Sequence, residues 1–114
     1  MSRRRGSIYD GFLRDVPDDP RPVLVVSADS VNHGMQPVVA QVTTGERTRA
    51  LPTDVVLENG EGGVTQRSWV LCDELATLDD ADLAERPWGP MIPHHKLIEV
   101  ERALMSALDI PYEP

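Results

Sequence analysis

Two short apolar runs, at residues 21–27 and 37–44, constrain the fold of this 114-residue chain more than any other feature. Their sequences are Arg-Pro-Val-Leu-Val-Val-Ser and Pro-Val-Val-Ala-Gln-Val-Thr-Thr. Both are rich in β-branched residues, which is typical of buried or half-buried strands. Polar groups stand at one end of each run, Arg21 at the start of the first and Thr43 with Thr44 at the end of the second. If the two strands pair, the sheet would hold a guanidinium and hydroxyl groups in fixed positions.

These polar groups have a functional and a structural interpretation. A charged guanidinium fork together with hydroxyl donors suits the gripping of a phosphodiester. Alternatively, Arg21 is a solvated residue at a strand edge, and Thr43 and Thr44 are present as good strand formers. The two segments alone leave both interpretations open.

Turn signals and apolar periodicity outline the rest of the chain. They predict further strands at residues 6–13, 53–57 and 68–72, with a Pro- and Asp-rich loop at 14–20 and a glycine-rich turn at 59–63. Residues 28–36 are interpreted as a polar connection.

The C-terminal segment predicts the main helix. Pro93 fits the first helical position. Apolar residues then recur at helical spacing, at Leu97, Val100, Leu104 and Leu108. One further helical turn is predicted from Asp79 through Leu83. Strands followed by one terminal helix predict a single α+β domain over residues 1–114, built on a twisted antiparallel sheet or a partly open barrel.

The net charge of −8 argues against a simple nucleic-acid binder, because phosphates would be repelled at long range. The charge is uneven: residues 1–67 carry eight Arg and nine acids, net −1, while residues 68–114 carry three basic residues and ten acids, net −7. The N-terminal part can therefore present a locally positive groove around Arg21, Arg47 and Arg49. Plain solubility explains the acidic charge equally well.

Several classes of protein are disfavoured. No apolar run approaches the roughly 20 residues that span a bilayer, and no signal-peptide core follows the basic N-terminus, so we expect a cytoplasmic protein without membrane contact. Cys72 is the single cysteine, which rules out an intrachain disulfide and a cysteine zinc cluster. His94 and His95 are adjacent, so on a helix they point about 100° apart. We therefore expect no metal site and no other cofactor.

The remaining conspicuous residues have simple structural interpretations. We expect Cys72 to be buried and inert within its strand. Trp69 and Trp88 are interpreted as core or dimer-interface residues, with base stacking as an unsupported alternative. The arginines at residues 3–5 are interpreted as a frayed tail that adds phosphate affinity at most.

Seven motifs then follow one another along almost the whole chain: Arg-Gly-Ser-Ile-Tyr at 5–9, the run at 21–27, Val-Ala-Gln-Val-Thr-Thr at 39–44, Pro-Thr-Asp-Val at 52–55, Gly-Glu-Gly-Gly at 60–63, Ser-Trp-Val-Leu-Cys-Asp at 68–73 and the helix at 100–108. Asp29 and Asn32 stand between the second and the third. This series resembles the MazF/PemK family of toxin endoribonucleases from bacterial toxin–antitoxin pairs. Each motif alone is weak, but the order of all seven is specific.

The resemblance implies a fold, an activity and partners. The fold would be the small SH3-like barrel that the family shares with the gyrase toxin CcdB, and members are usually homodimers. Family members cut single-stranded RNA without a metal: the 2′-hydroxyl attacks the adjacent phosphate and leaves a 2′,3′-cyclic phosphate. A MazE-like antitoxin would silence the toxin, and an acidic disordered peptide suits a groove that binds phosphates.

The resemblance also assigns the site. The family's catalytic arginine maps onto Arg21 and its catalytic threonine onto Thr43. Arginine is a poor base, so we favour stabilisation of the negative charge on the phosphate oxygens as the role of Arg21. The candidate RNA-binding residues are Thr44, Asn32, Arg47, Arg49, Asp19 and Glu74.

Departures from the family pattern keep two alternatives open. Loop 14–20 is shorter than in the family, and Asp18 or Asp19 is the candidate for the acidic function of that loop. Glu74 stands where the family often has Gln, which would alter base recognition. The alternatives are a CcdB-like inhibitor of DNA gyrase and an inactive family member that serves as a protein-binding module.

Overall fold

The computed structural model describes residues 3–14, 18–34, 36–45 and 51–111. Within these residues the fold has five strands and two helices: β1 Ile8–Gly11, β2 Arg21–Val25, α1 Asp29–Asn32, β3 Val38–Thr43, β4 Asp54–Leu57, β5 Ser68–Thr77 and α2 His94–Ala107. Single 3₁₀ turns lie at Glu61–Gly63 and Asp80–Asp82. The predicted α+β order of strands and a terminal helix is confirmed.

The strands form one antiparallel sheet in the order β1-β2-β3-β5-β4. The expected antiparallel sheet is therefore confirmed. Within the described ranges β1 and β4 do not pair, so the SH3-like barrel that the resemblance implied is not closed. The outer edge of β1 is occupied by the chain that leads into α2: the backbone N–H groups of Ala84, Trp88 and Ile92 donate to Asp10, Ile8 and Gly6. Because those carbonyl groups are already bonded, β4 has no edge on which to close.

The strand β2 is buried on both faces of the sheet, which explains why residues 23–26 form a continuous apolar run. One face packs against α2 through a core cluster that includes Leu24, Val42 and Val70. The opposite face carries a second cluster that includes Val23, Val25 and Val39. Alternate residues of β2 and β3 thus enter opposite cores.

Helix α2 lies over β4 and β5 and buries Val100 and Ala103. It begins at His94, so Pro93 is the N-cap residue and the prediction of Pro93 at the first helical position is wrong by one residue. The side chain of Leu108 is 60% exposed rather than buried, because the helix ends at Ala107 and Leu108 has left helical geometry.

Two elements differ from the sequence prediction. β5 runs on past the acidic pair Asp73 and Glu74 to Thr77, because it pairs with β3 again from Leu75 onward. The register shifts where Gln41 pairs with Leu71 but Ala40 pairs with Leu75. A bulge of this kind accommodates extra residues on one strand. The polar connection after β2 contains the short helix α1.

In the portion of the chain that the structure describes, neither helix has the length and apolar character needed to traverse a bilayer.

Candidate functional site

Arg21 and Thr43 lie at the ends of neighbouring strands that run antiparallel. The paired residues of β2 and β3 run from Val25 opposite Val39 to Val23 opposite Gln41, and the same register extended by two residues would bring Arg21 opposite Thr43. On the other side of β3, Thr43 pairs with Trp69, and Trp69 pairs with Val56. We call Arg21, Thr43 and Trp69 the cross-strand row. Residues directly opposite in an antiparallel ladder project from the same face, with Cα atoms about 4.5–5.5 Å apart.

The cross-strand row projects from the face of the sheet that is turned away from α2. Side chains alternate between the two faces of a strand, so Arg21 shares a face with Val23 and Val25 of the second core cluster. Val42 and Val70, the neighbours of Thr43 and Trp69, point into the cluster under α2. The row is therefore where the second core ends and polar groups begin.

Arg21 is solvent-accessible and paired with a carboxylate from the preceding loop. Its side chain is 51% exposed, and its Nη2 lies 3.5 Å from Oδ2 of Asp19, whose side chain is 68% exposed. Ion pairs at this exposure contribute little to stability. The contact nevertheless orients the guanidinium, and it brings the predicted Asp19 to the predicted Arg21.

Thr43 is half-buried at the end of β3, and its Oγ1 accepts a long 3.5 Å hydrogen bond from the backbone N–H of Gly45. A hydroxyl that accepts such a bond can still donate its own proton. Thr44, the next residue, is exposed. Arg47 and Arg49, predicted to line the same groove, lie outside the described residues.

Trp69 is the site residue that the motif reasoning did not select. It is half-buried, and the guanidinium carbon of Arg67 lies 5.9 Å from the centre of its ring. Arg67 also pairs with Glu58, with Nε 3.2 Å from Oε1. The alternation in Ser-Trp-Val-Leu is the sequence signal that could have identified Trp69, because it puts this residue on the face opposite Val70. The sequence alone could not show that Thr43 is its neighbour on β3, because that depends on the strand register.

The prediction of Asn32 as an RNA-binding residue is corrected, because this side chain is completely buried. Its Oδ1 accepts a short hydrogen bond from the Ser27 hydroxyl, and its Nδ2 donates to the Ser27 carbonyl at 3.2 Å. The Ser27 hydroxyl oxygen in turn accepts from the backbone N–H of Val38 at 2.9 Å. Asn32 therefore holds the β2–β3 connection together.

Glu74 is exposed and lies in the bulge of β5, between Leu71, which pairs with Gln41, and Leu75, which pairs with Ala40. Ala40 is three residues from Thr43 on β3, so the bulge is within about 10 Å of Thr43 along the sheet. Glu74 is therefore outside the cross-strand row but near it.

The arginine tail also needs a correction at Arg3, which is 7% exposed rather than frayed. Its guanidinium donates to the carbonyl groups of Ala84 and Leu83 at 3.0 and 2.9 Å, and it lies 5.9 Å from the centre of the Tyr9 ring. Arg3 therefore ties the N-terminal segment to the second core cluster.

Cys72 is buried, as expected, and its thiol is unreactive. Burial, with smaller contributions from the negative charges of Asp54 and Asp73, raises the pKa of its thiol from 9.0 to about 12. The thiol therefore remains protonated at neutral pH and is a poor nucleophile. Within the described ranges no group of three or more His, Cys, Asp or Glu side chains is arranged to hold a metal ion.

Comparison with known proteins assigns the chain to a family. Residues 4–108 match the model of the PemK-like, MazF-like toxins of type II toxin–antitoxin systems. The chain belongs to this family. The endoribonuclease MazF of Staphylococcus epidermidis is 30% identical over 112 residues, which cover 94% of this chain and 92% of that protein.

Solved structures agree with the family assignment. A mycobacterial endoribonuclease, solved in complex with its cognate antitoxin, superposes with a TM-score of 0.82 at 25% identity, covering 98% of this chain and all of that one. The Mycobacterium tuberculosis toxin MazF-mt6 gives 0.77 at 28% identity, covering 93% and 99%. The resemblance is confirmed: the chain is a MazF-type endoribonuclease toxin, and the comparisons favour this over the gyrase inhibitor and the inactive module.

Proposed function

We propose that this MazF-type toxin cuts single-stranded mRNA at the cross-strand row, with Arg21 and Thr43 as its catalytic residues. The observation that supports the proposal is the antiparallel register of β2 and β3, whose extension by two residues beyond Val23 and Gln41 would bring Arg21 opposite Thr43 on one face. A phosphate between them would accept charge-assisted hydrogen bonds from Arg21 and a hydrogen bond from Thr43. Both groups then act on the same phosphodiester.

The reaction is an internal transfer of the phosphoryl group. The RNA 2′-oxygen forms a bond to phosphorus and the bond from phosphorus to the 5′-oxygen breaks, which leaves a 2′,3′-cyclic phosphate and a 5′-hydroxyl. The proton lost by the 2′-hydroxyl is balanced by the one that the 5′-oxygen gains, and both exchange with solvent. Arg21 supplies fixed positive charge where the phosphate oxygens become more negative, so the proposed mechanism needs no metal.

The residues around Arg21 and Thr43 are proposed to contact the RNA or to orient the catalytic groups. Thr44 is exposed beside Thr43, which suits a contact to the sugar or phosphate. Asp19 is proposed to orient Arg21 across their 3.5 Å contact rather than to act as the base. Arg47 and Arg49 are proposed as phosphate contacts from their charge and sequence position alone. Glu74, in the bulge of β5, is proposed to meet the RNA beside the scissile phosphate rather than at it.

We also propose an antitoxin partner, a homodimer and a cytoplasmic location. The mycobacterial relative is solved with its cognate antitoxin, and a groove that binds RNA phosphates suits an acidic peptide that folds on binding. Several large apolar side chains are exposed and are suited to burial between two copies, among them Phe12, Leu75, Met91 and Leu108. Messenger RNA, the proposed substrate, is in the cytoplasm.

The test is incubation of the purified protein with a long single-stranded RNA in EDTA, with the cut ends mapped. We expect discrete cuts ending in cyclic phosphates. Arg21→Ala and Thr43→Val should each lower the cleavage rate by at least about 10²–10³, the usual cost of removing one donor to a developing negative charge. Circular dichroism and thermal melting would show that both variants remain folded.

Asp19→Asn is the matched comparison, because it changes the neighbour of Arg21 and not the catalytic groups. Loss of a general base costs about 10²–10⁴ in rate, whereas loss of an exposed ion pair costs about fivefold at most. We expect the smaller effect. Full cleavage by Arg21→Ala or by Thr43→Val would contradict the site assignment.

A further inference from the structure

We propose that Trp69, with Arg67 beside its ring, is the stacking platform for the RNA base next to the phosphate held by Arg21 and Thr43. The proposal deepens the proposed function and rests on it. It assigns a binding role to a residue that the cleavage chemistry leaves unused.

The first argument is position. Thr43 and Trp69 are directly paired, and the β2–β3 register extended by two residues would bring Arg21 to the other side of Thr43. Neighbouring strands are about 4.7–4.9 Å apart, so the backbone at Trp69 is about 5 Å from that at Thr43 and about 10 Å from that at Arg21. A base reaches sideways from its phosphate through one ribose. A base beside the bound phosphate would therefore lie over the next strand, where Trp69 stands.

The second argument is the environment of the indole ring. Ser68 and Val70, on either side, are completely buried, whereas Trp69 on the opposite face is only half-buried. Part of a large aromatic side chain is thus left accessible beside a polar site. Accessible aromatic side chains are what single-strand-binding proteins offer to bases, since every base has a π-face.

The third argument is charge. Arg67 lies within the 6 Å range of a cation–π contact to Trp69 and is 64% exposed, with Glu58 as a similarly exposed partner. Its guanidinium can stack on a base or approach a phosphate from the position that it already occupies. Glu58 balances the charge of Arg67 in the free protein, but an ion pair between two exposed side chains is weak, so an RNA phosphate can compete for the guanidinium.

The expected effect is on binding rather than on chemistry. Base–aromatic stacking is worth about 1–3 kcal/mol, which corresponds to about 5- to 150-fold in affinity. Because stacking tolerates different bases, Trp69 would position the RNA without reading much sequence. We therefore expect Trp69→Leu to raise KM for RNA by this factor with kcat nearly unchanged, and Trp69→Phe to retain most of the affinity.

Tryptophan fluorescence tests the contact itself. Trp88→Phe leaves Trp69 as the single tryptophan, and a 2′-O-methyl oligonucleotide that carries the mapped cut site binds without being cut. Stacking should quench and shift the emission of Trp69. The matched control is Trp69→Phe, which leaves Trp88, a residue bonded to Asp10 of β1, as the reporter. Its emission should change little.

The outcomes separate the two proposals. If the wild type cuts RNA while Trp69→Leu keeps its KM, the platform is wrong and the proposed function stands. If Trp69→Leu instead turns a dimer into a monomer on a sizing column, Trp69 is an interface residue and the platform is also wrong. If the wild type cuts no RNA, a random 2′-O-methyl RNA replaces the mapped oligonucleotide. Quenching of Trp69 would then support the platform although the nuclease proposal had failed, and no quenching would overturn both.

Discussion

At the scale of single residues, several motif positions serve the fold rather than the chemistry. Ser27 and Asn32 bond each other and the start of β3, and the Asp29 carboxylate accepts a hydrogen bond from the backbone N–H of Arg5 at 3.0 Å. These residues join the N-terminal segment, the end of β2 and the start of β3. β2 and β3 carry Arg21 and Thr43. These hydrogen bonds therefore hold the two strands of the site in place without contacting the site itself.

Asn32→Ala should therefore reduce stability without removing an RNA contact. The substitution leaves buried partners of Asn32 unsatisfied, each at a cost of about 1–3 kcal/mol. Chemical denaturation measures the loss, and Ser30→Ala, an exposed change in the same short helix, is the matched control. Unchanged stability together with weaker RNA binding would contradict this expectation and would support a role for Asn32 in binding RNA.

At the scale of elements, the glycine-rich turn shows why one short motif is tightly specified. Gly60, Gly62 and Gly63 all adopt positive φ, the region that side chains disfavour. A Cβ on Gly63 would lie 2.6 Å from the carbonyl carbon of Trp88, whereas a Cβ on Gly60 would have nothing within 4 Å. The turn thus presses its backbone against the chain that covers the edge of β1.

Gly63→Ala and Gly60→Ala form a matched pair for this packing. In both variants the alanine must adopt a left-handed backbone conformation, which lowers the free energy of unfolding by about 1–2 kcal/mol. Only Gly63→Ala also forces the Trp88 backbone to move, which adds about 1–3 kcal/mol of overpacking. Denaturant titration of the two variants should show the larger loss for Gly63→Ala, and equal losses would contradict the close approach.

At the scale of the whole molecule, a sheet buried on both faces makes stability sensitive to ionisation inside it. Cys72 lies in the cluster under α2, and its thiol keeps its proton to a pKa of about 12, against 9.0 in the unfolded chain. Between these two values the unfolded state loses the proton first and is favoured. The contribution of the neutral thiol is therefore fully present below about pH 9 and is lost as the pH rises toward 12.

The wild type should consequently lose stability between pH 9 and 12 more steeply than Cys72→Ala, whatever else titrates in both proteins. Denaturation midpoints measured across this range give the difference. The same burial should protect the native thiol from alkylation at neutral pH. Parallel pH profiles in the two proteins would show that Cys72 is solvated.

The sequence by itself determined the order of the strands, the terminal helix, the family and the two catalytic candidates. β-branched runs, glycine turns and helical periodicity are local signals, and Arg21 and Thr43 stand at strand ends that those signals locate. Tertiary structure alone decided which residues face one another. The pairing of Thr43 with Trp69, the burial of Asn32 and the long β5 with its register shift all depend on contacts between distant segments. Register and burial are properties of pairs of strands, and no single segment contains them.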